Sequence, residues 1–348
     1  MKSKMQLTTD AGTEFWNDSC SIRELTEAVA EGAVGATSNP VIVNTVVRQE
    51  HEQWLESLDG IIRDDPTGTE DDIAWRLIEV IGARAAQILL PAYRRFEGRR
   101  GRLSLQVNPK FYRDPGRMLE HAQRLSSLAP NIAVKLPCTD AGLQAVEEAT
   151  AAGICVNVTV SFSVPQAIAA AESIERGLAR RTNAPAGFTP FVTIMVGRLD
   201  DQLKRVAASE GIAVDPGMLE WGGVAVFKKS YGIFRSRGYR AKLLSAAYRN
   251  HMHWSEFVGG DVILSMPYAW WMKFNASDVE VRRRIDDPVD AAIVNTLYAK
   301  FPAFRAAYDE GGLARRDFIR FGATVHTLHQ FLGGYQSLLE FVRARMIP

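Results

Sequence analysis

Lys135 stands alone among apolar residues in the run Asn131-Ile132-Ala133-Val134-Lys135-Leu136-Pro137. A run this short, closed by Pro137 and Thr139-Asp140, reads as a strand buried on both faces, as in a parallel sheet. Lysine is rarely placed on such a strand without a partner or a purpose. At its ordinary pKa of ~10.4, only about one lysine in a few thousand is a free amine at pH 7. Burial among apolar side chains lowers that pKa and supplies the amine that Schiff-base chemistry needs. The plain alternative is a lysine that snorkels from a strand end or pairs with a carboxylate.

Other residues with usable chemistry fall at the ends of comparable runs. Asp18 ends the run Glu14-Phe15-Trp16-Asn17-Asp18 and is placed to take and return a proton, or merely to cap the next helix. Arg198, in Val196-Gly197-Arg198, and Arg249, in Tyr248-Arg249-Asn250, carry the planar fork that grips phosphate, unless surface ion pairs occupy them. Thr37, Ser38 and Asn39 (before Pro40), Gln106 and Asn108, Asn157 and Thr159, and Thr193 complete the polar set. Asn39 could serve only to set the turn. Cys138, three residues past the lysine, reads as a small buried filler or a lining residue of the same cavity.

Positioning these residues requires a repeating scaffold. Eight strand candidates centre near 16, 35, 105, 134, 157, 192, 244 and 263, with helical patterns between them. Ser19 and Ser21 offer caps for a helix ending at Gly32, and Asp114-Pro115, Ser163-x-Pro165, Asp215-Pro216 and Asp287-Pro288 read as further helix starts. Trp54, Leu58, Ile61 and Ile62 mark one helix, and Ile73, Leu77, Val80 and Ile81 a second. Residues 5–10 are a polar lead-in without a clear signal, and the last helix runs from Phe318 to about Met346. The pattern predicts an α/β fold, a closed (β/α)8 barrel with extra helices between strands 2 and 3 and at the C-terminus from about 285. A doubly wound sheet is the alternative, but no Gly-x-Gly-x-x-Gly follows an early strand. No repeat or linker divides residues 1–348, so a single domain is expected. In a barrel the functional groups belong at the C-terminal ends of the strands, where the polar residues above fall.

Composition narrows the partners. With 348 residues, 47% hydrophobic and 23% charged, and a net charge of +1, neither nucleic acid nor an anionic membrane is expected. No stretch reaches ~18 consecutive apolar residues, and the N-terminus lacks a signal-peptide apolar region. The three cysteines lack metal spacing, and their odd number suits a reducing cytoplasm.

Read together, the segments resemble the transaldolase family of class I, Schiff-base aldolases, from about Phe15 to Pro267 and less closely through the last helix. The resemblance rests on Thr37-Ser38-Asn39-Pro40, Val134-Lys135-Leu136-Pro137, Gly153-Ile154-Cys155-Val156-Asn157-Val158-Thr159, Val196-Gly197-Arg198 and Tyr248-Arg249-Asn250, in family order. It implies a Schiff base on Lys135, proton transfer by Asp18, and substrate hydroxyls held by Asn39 and Asn157, with Ser38 and Thr193 beside them. Arg198 and Arg249 would bind a phosphate. It further implies transfer of a three-carbon ketol unit between sugar phosphates, or related ketoses and aldehydes, in the cytoplasmic pentose phosphate pathway. No cofactor or metal is called for, and a homo-oligomer is admitted. Gln106 replaces a family glutamate that works through a water bridged to the residue matched by Thr159. Thr193 and Ala247 replace serines, and Met195 replaces an aromatic residue. The glutamine points towards a lyase of the fructose-6-phosphate aldolase type. A non-catalytic sugar-phosphate-binding barrel is the reading from another class.

Overall fold

A computed structural model describes residues 2–181 and 187–347. Eight strands, β1 (Glu14–Asn17), β2 (Gly35–Thr37), β3 (Arg102–Gln106), β4 (Ile132–Pro137), β5 (Val156–Thr159), β6 (Phe191–Met195), β7 (Lys242–Ala246) and β8 (Ile263–Met266), close into one parallel barrel in chain order. The expected eight strands and their closure are therefore present. Helices α1 (Lys4–Asp10), α2 (Ile22–Ala30), α3 (Pro40–Gln49), α4 (His51–Asp64), α5 (Glu70–Arg95), α6 (Pro115–Ser126), α7 (Asp140–Ala151) and α8 (Val164–Ala179) surround the first half. The second half carries α9 (Val196–Glu210), α10 (Gly222–Arg237), α11 (Met252–Ser255), α12 (Tyr268–Ala276), α13 (Ala291–Lys300), α14 (Pro302–Tyr308) and α15 (Gly322–Met346). None of the described helices is long and apolar enough to cross a membrane.

Alternation along β4 decides where Lys135 points. Ala133 belongs to a small cluster with Trp16, Phe191, Leu244 and Ile263 that fills the barrel interior, whereas Val134 and Leu136 belong to the large core between strands and helices. Side chains two apart on a strand share a face, so Lys135 also points inward, one layer above Ala133. Its neighbours in register are Gln106 on β3 and Asn157 on β5. The apolar plug is closed below by Glu14, which pairs with Arg100 and Lys242 at the N-terminal end.

Local signals failed at four places. Residues 5–10 lie in α1, held by a capping box between Ser3 and Gln6. The stretch after β2 holds three helices, not two, because Asn39 caps α3 by accepting from the Ile42 N–H. Asp215-Pro216 opens a short 3-10 turn, Pro216–Trp221, before α10 begins. Asp287-Pro288 starts no helix: Asp290 caps α13 instead, accepting from the Ala292 N–H, while Asp287 pairs with Arg282.

Candidate active site

A cavity of about 370 Å³ opens at the C-terminal end of the barrel, and Lys135, Asp18, Thr37, Asn39, Thr159, Thr193, Arg198 and Arg249 all line it. A larger cleft, about 840 Å³, lies at the opposite end beside Glu14, Arg100 and Lys242. That end of a barrel serves stability rather than chemistry, and its Arg100 and Lys242 are committed to carboxylates.

Lys135 is 7% exposed, and its Nζ donates to the Ser38 carbonyl oxygen at 3.2 Å. A carbonyl is a weaker anchor for an ammonium than a carboxylate. Burial pushes the lysine pKa below its ordinary value, and the charge of Asp18 opposes this only in part. Asp18 is shifted the other way: burial raises its pKa, against the pull of Lys135, a hydrogen bond from Thr37 and the charge of Arg198. Both groups are thus biased towards their neutral forms, which favours a free amine beside a protonated acid. The Thr37 hydroxyl donates to Asp18 Oδ1 and lies 2.5 Å from Ser265 Oγ. With its one proton given to Asp18, Thr37 must accept from Ser265, so a directed chain runs from β8 to the carboxylate. Ser21, not Asp18, caps α2, which leaves the Asp18 carboxylate to the cavity.

The arginines differ. Arg198, in the first turn of α9, makes no described ion pair, and its Nε is buried without a partner. Burial and the neighbouring Arg249 lower its pKa. Arg249 donates from Nε and Nη2 to Asp201, at 3.1 and 2.8 Å, and from Nη1 to the Tyr248 carbonyl at 2.9 Å. Three of its five N–H groups are therefore taken and two remain. The backbone at Ala247 has φ of 65°, a conformation rarely adopted by non-glycine residues, and its carbonyl accepts from the Gly197 N–H at 3.1 Å. A Cβ on Gly197 would stand 2.1 Å from that oxygen, so this approach of the β6 and β7 loops requires glycine.

Asn157 is buried below the cavity and does not line it: Nδ2 donates to Ser104 Oγ at 3.0 Å, and Oδ1 accepts from Thr193 at 2.7 Å. Ser38 reaches Lys135 through its carbonyl. Asn39 caps α3 with Oδ1, and its amide NH2 stays available at the cavity wall. Gln106 faces a separate void of about 10 Å³ next to Asn108, Tyr112 and Thr159, and its Oε1 is buried without a partner. Thr159 lines both spaces. Cys138 is buried against the Gln166 carbonyl, away from the cavity.

Several residues in or behind the cavity wall escaped the sequence reading. Ser265 breaks an apolar strand as Lys135 does, and that signal was available. Trp270 on α12, and Gln330 and Phe331 on α15, cover the mouth from helices with no motif of their own.

A closed parallel barrel with its polar cavity at the C-terminal mouth places the chain in the (β/α)8 class. The family model described as "Transaldolase/Fructose-6-phosphate aldolase" matches residues 15–310, and the chain belongs to that family. Among curated relatives, a transaldolase of Thermobifida fusca is 33% identical over 231 residues, covering 62% of this chain and 61% of that protein. Transaldolase 1 of Streptomyces avermitilis is 31% identical over 60% of this chain and 57% of its own. A transaldolase of Thiobacillus denitrificans is 29% identical over 72% of this chain and 74% of its own. The chain thus spans about three fifths of the length of the first two.

Proposed function

We propose that the chain is a transaldolase-like enzyme that moves a three-carbon ketol unit from a ketose phosphate to an aldehyde through an imine on Lys135. One observation carries this reading: a buried amine, held by a carbonyl rather than a carboxylate, shares a cavity with a carboxyl group biased towards protonation. Attack of Nζ on the ketose carbonyl gives a carbinolamine, and loss of its hydroxyl as water, with a proton from solvent, gives the protonated imine. The positive imine draws Asp18 into its carboxylate form, its own proton leaving to solvent, and the carboxylate then takes the proton of the hydroxyl one carbon beyond the bond to be broken. The bond's electrons move into the imine and an aldehyde departs. The enamine left on Lys135 attacks a second aldehyde, which is transfer, or is protonated and hydrolysed, which is cleavage.

Arg198 would carry most of the phosphate, with the two remaining N–H groups of Arg249 assisting. Asn39 would hold a substrate hydroxyl through its amide NH2. Asn157 would act indirectly, by fixing Thr193. A water seated between Gln106 and Thr159 would satisfy the buried amide oxygen; the 10 Å³ void is at the lower limit for one. Glutamine can orient that water but cannot take its proton, and this favours the second reading, a fructose-6-phosphate aldolase-type lyase. Binding alone would require neither Lys135 nor Asp18 in its neutral form, which argues against a non-catalytic barrel.

Incubation with fructose 6-phosphate, with and without an aldose phosphate acceptor, separates these readings. A transferase forms new ketose only with acceptor. Steady release of dihydroxyacetone without acceptor identifies the lyase, and no turnover in either case would contradict both.

A further inference from the structure

His253 and Asp200 form a fully buried pair next to the cavity, and the mechanism above gives neither a role. His253 Nε2 lies 2.8 Å from Asp200 Oδ2, and both side chains are 0% exposed. The other ring nitrogen, Nδ1, accepts from the backbone N–H of Arg249 at 3.0 Å. An accepting Nδ1 assigns the ring proton to Nε2, so the histidine is neutral and donates to Asp200. The second oxygen of Asp200 accepts from the Gly223 N–H, at the start of α10, at 2.8 Å.

We propose that His253, held by Asp200, is a positioning residue that fixes Arg249 relative to Arg198 and so sets the affinity of the cavity for the phosphate end of a substrate. This rests on the assignment of those arginines to an anion. The first two turns of α9 present three functions: Arg198 to the cavity, Asp200 to the histidine and Asp201 to the Arg249 guanidinium. The loop after β7 is thereby tied to α9 at its backbone through His253 and at its side chain through Asp201. The Gly197-to-Ala247 hydrogen bond is a third tie. Loss of the histidine frees the backbone at Arg249 while leaving the guanidinium on Asp201, so the two arginines lose their common frame.

The loop after β3 supplies a contrast. There His121 Nδ1 accepts from the Asn108 N–H at 3.0 Å, in the same way. Its ring packs edge-on to Trp75 at 4.3 Å and has no carboxylate partner among the described residues; burial, with Arg124 nearby, pushes its pKa down to about 4. A histidine that only supports a loop manages without an acid. At His253 the added carboxylate links the loop to the helix that carries the second arginine.

Asn and Gln each reproduce one end of the imidazole. His253→Asn keeps an acceptor for the Arg249 N–H but cannot reach Asp200, and His253→Gln reaches Asp200 but leaves the N–H unpaired. Calorimetric titration with inorganic phosphate should show affinity weakened about ten-fold in both variants. Borohydride trapping of dihydroxyacetone, which has no phosphate, should fall about ten-fold less than phosphate affinity does. Combining either variant with Arg249→Ala should add nothing further, since both act through one guanidinium. Additive losses, equal losses in both assays, or no phosphate binding by the wild type would overturn the proposal. A wild type that binds phosphate but is never trapped would contradict the Schiff-base assignment and leave this one standing.

Discussion

Lys135 and Lys242 both point into the barrel, at its C-terminal mouth and its N-terminal floor. Each is mostly buried. Lys242 touches two carboxylates, Glu14 at 2.9 Å and Asp261 at 2.5 Å, while Lys135 touches a carbonyl. Burial pushes both pKa values down, yet Glu14 and Asp261 outweigh it at Lys242 and hold that ammonium above its ordinary value. At Lys135 the single acid is not within ion-pair distance, and burial wins. Burial alone therefore does not make a nucleophile. What matters is whether the fold lets a carboxylate touch the amine.

The largest expected effect breaks the mouth end. Lys135→Met should abolish turnover, since no other described amine shares the cavity; residual activity above ~1% of wild type would assign the imine elsewhere. Asp18→Asn should leave imine formation intact but slow carbon–carbon cleavage by ~10²–10⁴, measured as single-turnover aldehyde release. A normal cleavage rate in this variant would move the role to another group.

Gln106→Glu places a carboxylate on the strand beside Lys135, which sharpens the comparison directly. As a proton shuttle it should speed imine formation by about ten-fold or more, within the range of general acid–base help. The opposite outcome, slower trapping at pH 7 that recovers at high pH, would mean that the new carboxylate had turned Lys135 into a second Lys242.

Stability separates the two lysines in smaller steps. Lys242→Met leaves the buried Glu14 with Arg100 as its one described ion partner, beside the Trp16 indole N–H, and should cost about 2–3 kcal/mol, less than the ~3–5 for a fully unpaired buried charge. The raised pKa of Lys242 stabilises the fold below the unfolded value of 10.5, and that contribution is lost as pH rises through the higher folded value. Urea midpoints above pH 10.5 should therefore converge for wild type and variant. Lys135→Met should instead stabilise by ~0.5–2 kcal/mol at pH 7, as removal of a functional strain does. Because the folded pKa of Lys135 is depressed, wild type should recover that gap as pH rises towards 10.5.

The barrel and its lysine were legible in the sequence for the same reason. Eight apolar runs carry a period-two or buried-strand signal, and a charge inside one of them is conspicuous. Asp18 was readable from its place after β1, and Arg198 from its motif. The commitment of Arg249 to Asp201 was not, because 48 residues separate the partners and a loop geometry sets the distance. Asn157 looked like a cavity residue by position, yet Ser104 and Thr193 absorb its amide, which only the closed barrel brings together. Gln330 and Phe331 reach the mouth by the docking of α15, which amphipathic spacing does not specify.

The central claim is that Lys135 is the amine that the fold keeps free. Peptide mapping by mass spectrometry after borohydride reduction with fructose 6-phosphate tests it most directly. A three-carbon or ketose adduct on the peptide carrying Lys135, absent in Lys135→Arg and never on Lys242, is the expected result. An adduct on Lys242, or one that persists in Lys135→Arg, would contradict it.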